Sequence, residues 1–160
     1  MRPSRPPAVD ASVILEAPAD LIWEAVKTPA AFRQVTRRLV RLVGLARRDQ
    51  PWQEGETVHG PLVVFECLPI SVHHLTITRI DERRRELHSD EHGGLIRRWR
   101  HIIRVTPLGA SQCRYEDVVE IEAGWITPIV VGFARWFYGV RQRRWQSLAR
   151  QLNTSIHQPS

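Results

Sequence analysis

From Trp125 to Leu152 the chain carries one helical pattern, and it follows an almost continuous series of strand-like segments. Ile129, Phe133, Phe137, Val140, Leu148 and Leu152 recur at spacings of three, four or eight, which places them along one helical face. Arg135, Arg141, Arg143 and Arg150 fall mostly between them. A helix of this length extends roughly 40 Å at about 1.5 Å per residue. An apolar stripe that long needs cover, and the sheet built from the preceding strands is the one partner large enough. A curved sheet gripping a long helix tends to enclose a cavity, so the pattern points to binding.

The rest of the composition allows this. At 160 residues the chain is read as one domain able to bury a full core. The longest apolar run, Ile126 to Ala134, is interrupted by Thr127, Pro128 and Gly132 and is too short to cross a bilayer. Met1-Arg-Pro-Ser-Arg-Pro-Pro lacks the apolar segment of a secretory signal. Residues 1–8 are therefore expected to be a disordered leader, 9–152 the domain and 153–160 a flexible tail. Cys67 and Cys113 both fall in strand-like runs and are read as small buried hydrophobes rather than a disulfide. That usage suits the cytoplasm.

A net charge of +6 invites a nucleic-acid reading, but the pattern argues against it. Lys27 is the only lysine, and the arginines are dispersed along the chain. The densest groups, Arg83-Arg84-Arg85 and Arg141 to Arg144, fall in a turn and on the helix. No zinc-finger spacing, RNP-like aromatic motif or helix-turn-helix pair accompanies them. A solvated basic surface is the better account.

Ala11 to Ala17 alternates as a strand, and Pro18-Ala19-Asp20 breaks it. Asp20 is the expected N-cap of a helix from Leu21 to about Lys27, and Pro29 starts a second short helix over 30–35. Strands are then expected over 38–45, 56–67, 71–80, 86–91, 95–105 and 111–122. Turns fall at Pro51 to Gly55, Leu68-Pro69, Asp81 to Arg85, His92 to Gly94 and Pro107 to Ala110. Gly124 releases the chain into the long helix. The predicted fold is α+β: a curved antiparallel sheet of about seven strands around the C-terminal helix, with two short helices after the first strand.

Three stretches with this order resemble the START-like, or SRPBCC, superfamily over about residues 9–152. They are Ile14-Leu-Glu-Ala-Pro-Ala-Asp-Leu-Ile-Trp-Glu-Ala-Val, the pair Trp99-Arg-His-Ile-Ile-Arg-Val with Tyr115-Glu-Asp-Val-Val-Glu-Ile, and Arg141-Gln-Arg-Arg-Trp-Gln-Ser-Leu near the end. The nearest subgroup is the bacterial polyketide cyclase/dehydrase-like, ligand-binding proteins. The resemblance implies a helix-grip fold whose concave sheet face lines the cavity; such motifs specify fold better than function.

On that face Trp99, His101, Ile103 and Val105 alternate with Arg98, Arg100, Ile102 and Arg104, and Cys113, Tyr115, Asp117, Val119 and Ile121 alternate with Arg114, Glu116 and Glu120. The more apolar sets are read as inward, Arg97 with the first of them. His101, Tyr115 and Asp117 are then polar groups on an apolar inner face, within reach of one another across neighbouring strands. Three readings stand: they hydrogen-bond the polar end of a ligand, His101 acts as a general acid or base with Asp117 as its orienter, or they satisfy one another in the core.

His73 and His74 point to opposite faces and cannot chelate one metal; either is a candidate for the inward place, and His74 enters the expected ligand set. His59 is a potential partner for one of them. Trp99, Phe133, Trp136, Phe137 and Tyr138 are either core packing or a wall on which flat guests stack. Glu66 is read as an edge or arginine-paired carboxylate, and Gly132 and Gly139 as allowing a bend or close sheet approach.

The expected function is binding, or transport, of a hydrophobic small molecule such as a lipid, quinone or polyketide by Trp99, His101, Tyr115, Asp117, Phe133, Phe137 and His74. The alternatives are a cyclase or dehydratase using His101, and a protein- or ribosome-interaction module using Arg135, Arg141 and Arg143. No metal, cofactor or nucleic acid is expected. Transient membrane-surface contact through the basic face, and a monomer or weak homodimer, complete the expectations.

Overall fold

The computed structural model describes residues 8–156. The expected leader lies, apart from Ala8, outside the described residues; Ala8 opens the first strand. Of the expected tail, residues 157–160 lie outside them, and 153–156 belong to the last helix.

Strand β1 (Ala8–Leu15) is followed by α1 (Ala19–Val26) and α2 (Pro29–Thr36). The α1 N-cap is Pro18 rather than Asp20, which lies in the first turn, where its charge suits the helix dipole and meets Arg85. Thr28 caps α2 by accepting from the Ala31 N–H at 3.2 Å, with Pro29 at the first helical position. Strands β2 (Val40–Leu42), β3 (Thr57–Val64), β4 (Leu68–Asp81), β5 (Glu86–Gly93), β6 (Ile96–Pro107) and β7 (Cys113–Glu122) complete a seven-stranded antiparallel sheet in the order β1-β7-β6-β5-β4-β3-β2. The chain ends in α3 (Thr127–Ile156), entered through Gly124 at φ +59°, a conformation that favours glycine. This is the predicted helix-grip architecture.

Two strand predictions shift. The strand expected over 38–45 is β2 alone, because Val43–Leu45 wind into a single 3-10 turn. There Gly44 lies backbone to backbone on β3: a Cβ at that position would sit 2.4 Å from the His59 carbonyl oxygen. The break expected at Leu68-Pro69 falls instead at residues 65–67. Pro69 is accommodated within β4 beside a register shift at Leu62/Val63, a position that spares the missing N–H.

The helix presents a different face from the one predicted. Ile129 is 71% exposed, and Phe133 and Val140 are half-buried. The buried line is Val131, Ala134, Tyr138, Arg141, Trp145 and Leu148, at spacings of three and four. Trp145 is enclosed and lies 4.8 Å from the Tyr115 ring. Arg141, read as part of a basic surface, is buried, so only Arg135 and Arg143 of that proposed interaction face are exposed. Gly132 and Gly139 face open space, so neither serves close sheet approach.

The core has two apolar clusters. One joins Leu15, Ile22, Trp23, Val35, Leu45 and Trp145; the other joins Val9, Trp99, Val119, Ile121, Ala134 and Phe137. Cys113 is buried as expected, whereas Cys67 is exposed in the β3–β4 turn; both thiols are free.

Candidate ligand-binding cavity

Between the concave sheet face and the first half of α3 lies a cavity of about 320 Å³. Leu62, Val64, Leu75, Ile96 and Trp99 form its sheet wall, and Val130, Phe133 and Phe137 its helix wall. Phe133 and Phe137 are stacked at 6.0 Å, which presents a flat aromatic surface. The polar lining is His73, Glu91, His101, Tyr138 and Arg141. The volume falls in the range of small-molecule sites, about 300–1,000 Å³.

The strand alternation read for β6 and β7 holds in space: Trp99, His101, Ile103 and Val105 are buried, as are Cys113, Tyr115, Asp117, Val119 and Ile121. Arg97 departs from it and is exposed, at the end of β6, which begins at Ile96. Of the expected ligand set, Trp99, His101, Phe133 and Phe137 line the cavity. Tyr115 and Asp117 do not; both are fully enclosed behind it. His74 is directed to the outer face, where it stacks with His59 at 5.7 Å and His92 at 4.9 Å. His73 takes the inward place with Leu75 and Ile77 and meets Glu91 at 3.0 Å.

The enclosed polar groups form one network. His101 Nε2 lies 2.8 Å from Asp117 Oδ1, and the Tyr115 hydroxyl donates to the same oxygen at 3.0 Å. Arg141 donates to the Tyr115 hydroxyl at 3.0 Å and lies 3.7 Å from Asp117. Burial pushes the Asp117 carboxyl up, but the Arg141 charge and the hydrogen bonds from His101 and Tyr115 outweigh it and hold the carboxyl below its ordinary range. Burial likewise pulls Arg141 down, and Tyr115, Asp117 and Tyr138 more than restore it, so the guanidinium stays charged. Burial drives the Tyr115 hydroxyl well up, so it remains a neutral donor.

An ionised carboxylate only accepts, so His101 Nε2 carries the hydrogen in this contact. Arg141 Nε is buried without a partner among the described residues. On the sheet side the Trp99 indole N–H donates to Tyr138 at 3.3 Å, and Ser89 donates to Glu91 at 3.3 Å.

Arg141 and Glu91 are absent from the predicted site, whereas His73 and Tyr138, candidates for the inward place and the aromatic wall, take those places. A period-two reading of β5 from Leu87 through Ser89 to Glu91 would have found the carboxylate. Arg141 carried the opposite signal, because an arginine in a basic run on a helix is normally solvated.

The sheet, the long helix and the cavity between them define a helix-grip fold. The chain belongs to the family described as Domain of unknown function (DUF8410), whose model matches residues 13–151. No curated protein matches the sequence.

Solved structures match it along nearly its whole length. The Zhui aromatase/cyclase from Streptomyces sp. R1128 is similar at a TM-score of 0.71 and 13% identity, covering 91% of this chain and 94% of that one. A START superfamily protein from Mycobacterium smegmatis is similar at 0.69 and 14%, covering 91% and 98%. Norcoclaurine synthase from Thalictrum flavum, in complex with dopamine and hydroxybenzaldehyde, is similar at 0.65 and 14%, covering 96% and 89%. At these identities the likeness is one of fold.

Proposed function

We propose that the protein binds a flat, apolar small molecule bearing at least one hydrogen-bond-accepting oxygen. The observation that carries this reading is the cavity itself: an apolar space of about 320 Å³ whose polar groups include His101 and Arg141. The Phe133–Phe137 stack suits a planar ring system, and the Arg141 guanidinium, with its unpartnered Nε, suits an oxygen such as a ketone, quinone or carboxylate. Two fold neighbours support this chemistry, one being an aromatase/cyclase and the other a synthase in complex with dopamine and hydroxybenzaldehyde.

Native mass spectrometry of freshly purified protein tests it. The expected result is an added mass that organic extraction releases as an apolar compound. Val130→Trp, which fills the helix wall, should abolish that mass while the protein remains folded. A preparation without added mass, with no thermal shift on titration with quinones, fatty acids and aromatic polyketides, overturns the reading.

A second reading has its own support. The 2.8 Å contact between Asp117 and His101 orients the ring at the cavity wall, which supports a role for His101 in proton transfer. A cyclase or dehydratase would use it. Under that reading His101→Ala abolishes turnover of a poly-ketone substrate while binding persists; loss of both together argues against it.

A further inference from the structure

Exposed large apolar side chains stand at the mouth of the cavity and next to its lining residues, Trp125 preceding Ile126 in the chain and Trp136 packing on Phe65 and Phe133. Trp125 is 89% exposed, Leu95 and Ile129 each 71%, Phe65 49% and Trp136 46%. Phe65, Leu95 and Ile129 also line the cavity, so the exposed patch and the interior are continuous. They come from three separate elements: the β3–β4 turn, the β5–β6 turn and the start of α3. Phe65 lies 5.8 Å from Trp136 and 6.4 Å from Phe133.

The β3–β4 turn holds this aromatic out at a conformational cost. Phe65 and Glu66 have φ of +52° and +61°, where a side chain costs roughly 1–2 kcal/mol per residue. Such a turn ordinarily selects asparagine and glycine. A phenylalanine kept there at the mouth packs one side on Phe133 and Trp136 and leaves half of its surface in solvent.

Positive charge surrounds the patch. Arg37, Arg38 and Arg41 line a groove that shares Phe32, Val40 and Leu42 with the cavity, with Glu66 as the acidic member of that groove. Arg97 lies against Gly124 at the entry to α3, and Arg135 precedes Trp136 on the helix. All five arginines are exposed, and none is in an ion pair among the described residues. By contrast Arg79, Arg85, Arg98, Arg100 and Arg104 are each held by a carboxylate.

We propose that this face docks on an anionic bilayer surface, with Trp125, Ile129 and Phe65 entering the interfacial layer and the arginines meeting lipid phosphates. The inference rests on the proposed ligand reading, since a molecule that fits the cavity partitions into bilayers and would exchange through the mouth without crossing water. Exposed tryptophan beside arginine suits the membrane–water boundary. A second copy of the chain fits less well, because a two-fold contact would set the same arginines against one another.

Co-sedimentation with phosphatidylcholine vesicles, with and without phosphatidylglycerol, tests the proposal at low and high salt. Binding is expected with the anionic vesicles and should weaken as salt rises. Trp125→Ser with Ile129→Ser should lower the partition coefficient about tenfold. Arg38→Glu with Arg41→Glu should lower it about tenfold or more. Arg38→Glu with Arg41→Glu alters exposed side chains outside the cavity lining and should keep the thermal midpoint and the mass retained in native spectra; Trp125→Ser with Ile129→Ser, which touches the cavity wall at Ile129, should keep the thermal midpoint.

No binding to anionic vesicles, or undiminished binding by both variants, overturns the docking proposal; so does a concentration-dependent dimer lost in the Trp125→Ser variant with no vesicle binding. Ligand retention without vesicle binding sinks the docking alone, and vesicle binding by a protein that never holds a ligand sinks the cavity reading alone.

Discussion

Arg141 of α3 and Asp117 of β7 approach to 3.7 Å with both side chains sealed from solvent. They are joined through Tyr115, which receives a hydrogen bond from the arginine and gives one to the carboxylate. This contact fastens the long helix to the centre of the sheet. It also stands directly behind His101, so the same charges that hold the fold set the polarity of the cavity.

Removing one partner leaves the other charge buried and uncompensated. Arg141→Met is expected to destabilise the protein by about 3–5 kcal/mol, and Asp117→Asn by a similar amount. The double variant should cost less than the sum of the two, because each single change leaves the other charge stranded. Urea unfolding of the three variants measures it; simple additivity would mean that the two charges do not stabilise one another.

The acid limb of stability follows from the same carboxylate. Its folded pKa is held below the ordinary value of 3.8, so the stability it contributes is present above that value and is lost as pH falls through the folded pKa. Glu86 and Glu82 are lowered as well and act in the same direction. Thermal midpoints taken downward from about pH 5 should therefore fall below about pH 4. Asp117→Asn should fall less steeply, and an identical slope would assign the acid sensitivity to the other carboxylates.

The thiols should separate cleanly. Burial pushes the Cys113 thiol up to about 11, and Cys67 is exposed. One thiol per chain should react with Ellman's reagent at about pH 8 in the native state, and two after denaturation. Rapid native labelling of both would mean that the β7 end of the sheet opens readily.

Gly132 and Gly139 lie within α3, and a Cβ at either would meet no atom within 4 Å. Replacing each with alanine should stabilise the helix by about 1 kcal/mol. For a chain of this size that raises the midpoint by about 2–4 °C per substitution. A fall in midpoint would show that the glycines serve a bend.

Much of the scaffold was legible in the chain. Period-two alternation named the inward faces of β6 and β7, Arg97 at the start of β6 excepted, because there one phase is mostly apolar and the other is mostly arginine and glutamate. Gly124 and the aromatic-rich segment after it placed the long helix to within a few residues. His101 was found the same way, as the polar exception on an apolar phase. These features are local, and local spacing is enough to express them.

What the tertiary structure alone decided was which member of a near-tie goes inside. His73 and His74 are chemically equal, and β4 offers no strong phase around them; the choice fell to His73 because Leu75 and Ile77 share its side and Glu91 of β5 waits there. On α3 the apolar residues alone mark one stripe, yet the buried stripe runs through Tyr138, Arg141 and Trp145. An arginine enters a core only where a carboxylate and a hydroxyl meet it, and here both come from a strand more than twenty residues away. No spacing within the helix encodes that partner. The chain alone determined that a sheet would grip this helix, and long-range charge pairing determined which side of it the sheet would hold.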